Sequence, residues 1–170
     1  LSGGTTELLL VTPDGKNVKA EKLGGTSDIS AGQLIDRTGK LLGLQFPAGK
    51  AIDALSRTSE CKHKYRVKLR GLEFSFSGIQ NQAEKFFADT RSPADTARFV
   101  MNCIVGCIAD TTRAALADHP GLAVVFSGGV ASNSMLRERM REFSPVFAEP
   151  QYSTDNAMGI AVLTALQEGL

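Results

Sequence analysis

The chain has 170 residues, about the length of one domain. Its 19 Lys+Arg against 18 Asp+Glu leave a formal net charge of +1, which argues against a histone-like polycation, although local patches must be read separately. With 42% hydrophobic and 22% charged residues, the composition excludes disorder, collagen-like sequence and low-complexity repeats.

No run of 18 apolar residues is evident, so no membrane span is expected. The opening stretch Leu1-Ser2-Gly3-Gly4-Thr5 carries no basic region and no signal-peptide core. A glycine turn with no strand before it gives the expectation that the chain is a piece of a longer protein. Cys61, Cys103 and Cys107 form neither an even set nor a C-x-x-C pair, which points to a reducing, cytoplasmic setting.

Residues 7–13 (ELLLVTP) are β-prone and apolar, and Pro13-Asp14-Gly15 predicts a turn into a second strand over 17–22. Gly24-Gly25-Thr26-Ser27-Asp28 is expected to break that strand. Asp28 or Ser30 can cap a helix over 29–42, where Ile29, Leu34, Ile35, Thr38, Leu41 and Leu42 follow helical spacing and Gly43 ends it. Residues 48–57 read as a short helix.

In residues 62–70, Lys62, Lys64, Arg66, Lys68 and Arg70 alternate with His63, Tyr65, Val67 and Leu69. A period of 2 predicts a strand with five cations on one face. Strand and turn continue over 73–78, and 79–88 is expected to be helical. Ser92 and Pro93 are the N-cap and first residue of a long helix running towards Ala117. On it Cys103 and Cys107, beside Ile104 and Ile108, read as small apolar residues of one face. LAVVF (122–126) is expected to be a buried parallel strand. It leads into Ser127-Gly128-Gly129, a helix over 134–143, a strand over 145–148 and a last helix over 157–166. The whole reads as one α/β domain.

Two glycine pairs can bring backbone N–H groups to an anion: Gly3-Gly4 within Ser2–Thr5, and Gly128-Gly129 between a strand and a helix. Neither matches the P-loop or the dinucleotide fingerprint. Asp36, with Gly32 and Gly39 on its helix face, is either a solvated carboxylate or a ribose acceptor in a glycine-lined recess. Asp155, ahead of the last helix, is either a cap or a metal ligand. With His63 and His119 the only histidines, no Ser-His-Asp or Cys-His set and no zinc-hydrolase spacing can be assembled.

These units, in this order, resemble the TsaD family of tRNA threonylcarbamoyladenosine transferases, formerly described as O-sialoglycoprotein endopeptidases or glycoproteases. The start of the chain is similar to that family's VSGGHTQL turn and strand. AGQLIDRTGKLLGL (31–44) is similar to AGEAFDKTAKLLGL, and FPAG (46–49) to YPGGP. LEFSFSGI (72–79) resembles LDFSFSGL, GGVASN (128–133) resembles GGVSAN, and STDN (153–156) resembles CTDN. Thr5 stands where the family has His, Gln33 where it usually has Glu, and Ala48 and Lys50 replace a Gly and a Pro.

The resemblance implies a mixed sheet flanked by helices, of the actin/sugar-kinase/Hsp70-like ATPase (ribonuclease H-like) type. Residues 1–170 would be the C-terminal lobe of a two-lobe protein whose N-terminal lobe is absent from this chain. Ser2, Gly3 and Gly4 would wrap phosphates, Asp36 the ribose region, and Gly49 the nucleotide pocket. Gly128, Gly129 and Asn133 would hold the adenosine side. Asp155 would be the one metal ligand from this half, with Fe or Zn bound only when the N-terminal lobe and its H-x-x-x-H pair are present. The ligand would be ATP or threonylcarbamoyl-adenylate and the acceptor tRNA, with Lys62, Lys64, Arg66, Lys68 and Arg70 as RNA contacts or as a solvated face. A non-catalytic nucleotide- or partner-binding paralogue, self-associating or paired with a relative, is the alternative, and a metallo-glycopeptidase the third.

Overall fold

The structure, a computed structural model, describes residues 1–149, 153 and 157–169. Strands β1 (Glu7–Asp14) and β2 (Asn17–Thr26) form the expected antiparallel hairpin, closed between Asp14 and Asn17. Strand β2 does not break at Gly24-Gly25. It continues because β3 (Glu73–Phe74) pairs with it in parallel, Gly25 opposite Glu73 and Thr26 opposite Phe74. A Cβ at Gly24 would fall on the backbone of Leu72, so glycine there permits close strand approach rather than a turn.

Helix α1 (Ala31–Leu41) is capped by Ser30, whose Oγ accepts from the Gln33 N–H at 3.1 Å. Gln33 Oε1 in turn accepts from the Ser30 N–H at 3.0 Å, a complete capping box. Helices α2 (Gly49–Arg57), α3 (Ser77–Thr90) and α4 (Pro93–Asp118) follow. Ser92 Oγ accepts from the Asp95 N–H and Pro93 occupies the first turn of α4, as its sequence predicts.

Helix α4 is long and apolar enough, by length and composition, to cross a membrane, which corrects the expectation that no such stretch exists. In this fold 67% of its most apolar window is buried, and it forms the core. Phe99, Val100, Met101 and Ile104 are all but inaccessible. Its buried hydroxyls are satisfied locally, Thr111 donating to the Cys107 carbonyl and Thr112 to that of Ile108. Burial pushes the Cys103 thiol up to about 11 and that of Cys107 to about 12, so both stay protonated at neutral pH.

The remaining elements are β4 (Val125–Phe126), a 3-10 turn (Gly129–Ser132), α5 (Ser134–Met140), a second 3-10 turn (Arg141–Phe143), β5 (Val146–Phe147) and α6 (Ala157–Glu168). The domain is thus α/β, with a mixed three-stranded sheet in the order β1-β2-β3 and a parallel pair β4-β5. Only two residues of LAVVF are strand, and Val125 is 64% exposed rather than buried.

The predicted basic strand is not a strand. Within 62–70 the one bridge is between Arg70 and Glu73. The segment lies along α4, whose side chains take the place of a neighbouring strand. Asn102 Nδ2 donates to the carbonyls of Cys61 and His63, and the Tyr65 N–H donates to Cys103 Sγ at 3.2 Å. All five cations are exposed and Val67 is buried, while His63 stacks on Phe86 and Phe99.

Asp28, the unused capping candidate, instead ties the β2–α1 connection to residues 75–77. Its carboxylate accepts from Ser75 Oγ, from the Phe76 N–H at 2.9 Å, from the Ser77 N–H at 3.3 Å and from the Ile29 N–H at 2.7 Å. Desolvation pushes its pKa up, but the bonds from Ser75, Ser77, Phe76 and Ile29 together outweigh it and hold the carboxyl well below the usual range. A depressed folded pKa stabilises above the unfolded value near 4, and that contribution fades as pH falls below it. In urea titrations across pH, the gap between the native chain and Asp28→Asn is therefore expected to be widest above about pH 5 and to narrow below about pH 4. A gap independent of pH would show that the clamp does not need the charge.

Candidate functional site: two glycine turns closed around helix α1

Most of the residues singled out from the sequence meet along one strip. Ser2–Thr5 is a tight turn, with the Ser2 N–H donating to the Thr5 carbonyl at 2.8 Å. Ser2 Oγ accepts from the amides of Gly4 at 3.2 Å and Thr5 at 2.9 Å, so those two donors are used within the turn. The turn is fastened to α1 by Ser30 Oγ, which donates to the Gly3 carbonyl at 2.8 Å.

The second glycine turn reaches the same place through Leu1. The Leu1 ammonium donates to the Ser127 carbonyl at 2.7 Å, and the Val130 N–H donates to the Leu1 carbonyl at 3.1 Å. Gly128, at φ +96, has the Leu1 backbone where a Cβ would stand, so a side chain is excluded twice over. A 3-10 turn, not an α-helix, follows Gly129, and α5 starts only at Ser134. Gly3 and Gly129 are exposed residues, and among the described residues their amides have no protein acceptor, which leaves one unused donor in each turn.

Along α1 the strip continues through Gly32, Asp36 and Gly39, which share a face at helical spacing. The recess weighed for Asp36 is filled: Gly32 packs on the backbone of Ser2 and Gly3, and Gly39 on the Ala48 side chain. Asp36 is half-buried, and its Oδ1 accepts from the Ala48 N–H at 2.8 Å, which fixes the start of α2 and the exposed Gly49.

One turn further along α2, Asp53 closes the circuit. Its Oδ1 accepts from Asn133 Nδ2 at 2.9 Å, from Ser134 Oγ at 2.7 Å and from the Ser134 N–H at 3.1 Å. Asn133 is 7% exposed, and its own Oδ1 accepts from the Leu136 N–H at 3.1 Å, capping α5. Arg137 braces the turn from behind. Its Nε donates to the Ala131 carbonyl at 3.1 Å while its guanidinium lies 4.6 Å over Phe147.

Lys62, Lys64, Arg66, Lys68 and Arg70 do not join this strip, since their segment lies against α4 and α3. Asp155 lies outside the described residues. Among the described residues no group of three His, Cys, Asp or Glu could hold a metal ion, so these residues alone do not fit one.

A family model described as TsaD, tRNA N6-adenosine threonylcarbamoyltransferase, matches residues 1–162. The chain belongs to the TsaD family. Proteins named tRNA N6-adenosine threonylcarbamoyltransferase are among its relatives. That of Carboxydothermus hydrogenoformans is 35% identical over 173 residues, covering 95% of this chain and 51% of the relative. That of Chlorobium luteolum is 35% identical over 196 residues, covering 98% and 54%. That of Streptococcus suis is 31% identical over 181 residues, covering 99% and 53%. This TsaD-family chain therefore spans about half the length of the curated relatives it matches.

Two residues that organise the strip were not singled out from the sequence as site residues. Ser30 was weighed only as a cap, and Asp53 has no local signature, because its partners are 80 and 81 positions away. Asp53→Ala would leave three donors without an acceptor and is expected to cost about 1–3 kcal/mol of unfolding free energy. Chemical denaturation measures this, and Asp53→Asn, which keeps an acceptor, is expected to recover part of the loss.

Proposed function

We propose that this chain is the C-terminal lobe of a cytoplasmic threonylcarbamoyltransferase acting on tRNA, and that the glycine strip is its half of the nucleotide site. The observation that carries the reading is the pair of amides without a protein acceptor, those of the exposed residues Gly3 and Gly129, on turns linked through Leu1 along the face of α1 that carries the half-buried Asp36. Two amides of this kind suit phosphate oxygens, because they are fixed dipoles that need no reorganisation when charge arrives. Asp36 has one oxygen engaged by Ala48, which leaves the other for a ribose hydroxyl. Gly49 borders the base side, and Asn133, with Gly128 and Gly129, shapes the adenosine side.

The reaction is an acyl transfer. The N6 amine of a tRNA adenosine attacks the carbonyl carbon of threonylcarbamoyl-adenylate, a C–N bond forms, the bond to the phosphate oxygen breaks, AMP leaves and the amine loses a proton. No nucleophilic side chain is needed, in keeping with the lack of a Ser-His-Asp or Cys-His set in the sequence. The work of this chain is to hold the donor's phosphate and sugar so that the carbonyl faces the amine. A divalent metal, bound with ligands from an N-terminal lobe and with Asp155, would supply Lewis-acid polarisation of the donor.

A one-wall site should bind weakly. By calorimetry this chain alone is expected to bind ATP more weakly than a protein carrying both halves, and to be inactive; micromolar binding by the chain alone would overturn the two-wall reading. Nucleotide binding without transfer to tRNA in the two-half protein would select the paralogue reading instead.

The exposed cations of residues 62–70 offer a separate route to the tRNA backbone. If Lys64 and Arg66 each neutralise a phosphate, Lys64→Glu with Arg66→Glu in the two-half protein lowers the slope of log K against log[salt] by about 1.5. An unchanged slope would leave the segment as a solvated face.

A further inference from the structure

Beside the apolar cavity of about 580 Å³ between β1 and β4, floored by Ile108 and Thr112 of α4, the structure has a smaller polar one of about 320 Å³. It lies between residues 64–67 and α4 and shares no lining residue with the glycine strip. Lys64, Tyr65 and Arg66 border it on one side, and Cys103, Gly106, Cys107 and Asp110 on the other. Burial keeps the two thiols protonated, so the floor is neutral and polarisable. Gly106 stands in the middle of a 26-residue helix, where glycine is less favourable than any residue but proline. Nothing lies within 4 Å of the place its Cβ would take, so no neighbour requires the glycine. What the missing side chain preserves is the depth of the pocket.

Charge is unevenly spread around this pocket. Lys62, Lys64, Arg66, Lys68 and Arg70 are all exposed, and among the described residues none of them forms an ion pair. On a chain of net charge +1, these unpaired cations make a local field for an anionic partner. Burial dominates both thiols, but the Lys64 ammonium still pulls the pKa of Cys103 down and Asp110 pushes that of Cys107 up. A cation therefore stands towards one end of the pocket and a carboxylate towards the other. Asp110 uses one oxygen on Arg113, at 3.0 Å. A free phosphate or a wholly acidic peptide gains from the first end and meets a carboxylate at the second. A nucleotide is anionic at its phosphate and carries N–H donors on its base, which suits both ends. Tyr65 supplies the remaining part. Its N–H is fixed on Cys103 Sγ at 3.2 Å, its side chain is half-exposed, and among the described residues its ring pairs with no other ring. An aromatic ring held in this way beside cations is the combination that takes an unstacked base.

We propose that the pocket between residues 64–66 and residues 103–110 of α4 holds one unpaired nucleotide of a bound RNA, with the base on the thiol floor against Tyr65 and the phosphate on Lys64 and Arg66. The second oxygen of Asp110 accepts from an N–H of the base. The inference rests on the reading that residues 62–70 face tRNA and deepens it, because the segment then reads an unpaired position as well as the charge of the backbone. A fully paired duplex keeps its bases inside the helix and gains the phosphate contacts alone.

The test uses the 170-residue chain, since the whole pocket lies within it. A labelled RNA duplex with one bulged cytidine is compared at low salt with the same duplex fully paired, and affinity is read by fluorescence anisotropy. The bulged RNA is expected to bind about tenfold more tightly, the size of effect one base stacked on an aromatic ring gives. Tyr65 and Tyr152 are the two tyrosines and there is no tryptophan, so in a Tyr152→Phe background the intrinsic fluorescence is that of Tyr65. The bulged duplex is expected to quench it and the paired duplex to leave it unchanged. Tyr65→Ala, and Gly106→Met, which fills the pocket without altering a charge, are each expected to abolish the preference for the bulge while the paired duplex binds as before. Circular dichroism checks that both variants fold; Tyr65→Ala, at a half-exposed position, decides the matter if Gly106→Met does not. A bulge preference that persists in Tyr65→Ala, or equal binding of the two duplexes to the unaltered chain, would overturn the pocket and leave the phosphate contacts standing. No binding of either RNA would overturn the RNA reading of the segment and the pocket with it. Displacement of the bulged duplex by an equal concentration of oligo-glutamate of the same charge would overturn the proposal too, because an acidic protein segment would then be the occupant.

Discussion

Helix α4 is apolar on nearly every face, and the need to bury it decides where the other helices go. α1, α2, α3 and α5 all pack against it, and its Phe99, Met101 and Ile104 are essentially inaccessible. Each such side chain contributes about 1.5–3 kcal/mol by leaving water, far more than any surface ion pair of this chain. With helices occupying most of its surface, the rest of α4 is left for residues 62–70 and for the floor of the β1–β4 cavity. The basic segment is extended for this reason. It satisfies its backbone on the side chains of Asn102 and Cys103, and a helix surface does not require a strand opposite it.

The glycine strip depends on α4 at one remove. Asn133 Nδ2 approaches Met101 Sδ at 3.8 Å while donating to Asp53, so the cap of α5 is seated on the core helix. Asp36 and Asp53, both on the helices beside it, use their acceptors on backbone and side-chain donors of this chain. Their first duty is to hold Ala48, Asn133 and Ser134 in place. The groups left without a partner within the chain are main-chain amides and one oxygen of Asp36. On the proposed reading, a surface of this kind would hold a phosphate and a sugar by position and leave bond-making to the ligands it aligns.

What was legible in the sequence follows the range of the interactions. Signals satisfied within three or four residues were read correctly: Ser30 as one of two cap candidates, Ser92-Pro93, the Asp14-Gly15 turn and the stop at Gly43. Signals that depend on a distant neighbour misled. Gly24-Gly25 looked like a breaker because nothing local shows that Leu72 needs the space. The alternation over 62–70 was real, yet a period of 2 describes an extended backbone and does not say what it lies against. The glycines around Asp36 suggested a recess, whereas the turn at Ser2–Gly3 and Ala48 occupy it. The glycine turns were recognisable individually, but their meeting through Leu1 depends on bonds spanning more than a hundred residues.

Leu1 has a place in both halves of this picture. Its carbonyl accepts from Val130, its backbone fills the space Gly128 leaves, and its side chain lines the cavity between the sheets. The turns at Gly3 and Gly129 meet through the backbone bonds of Leu1 to Ser127 and Val130. Near-neutral net charge gives no hint of this arrangement, because the donors are peptide groups and the slot is apolar.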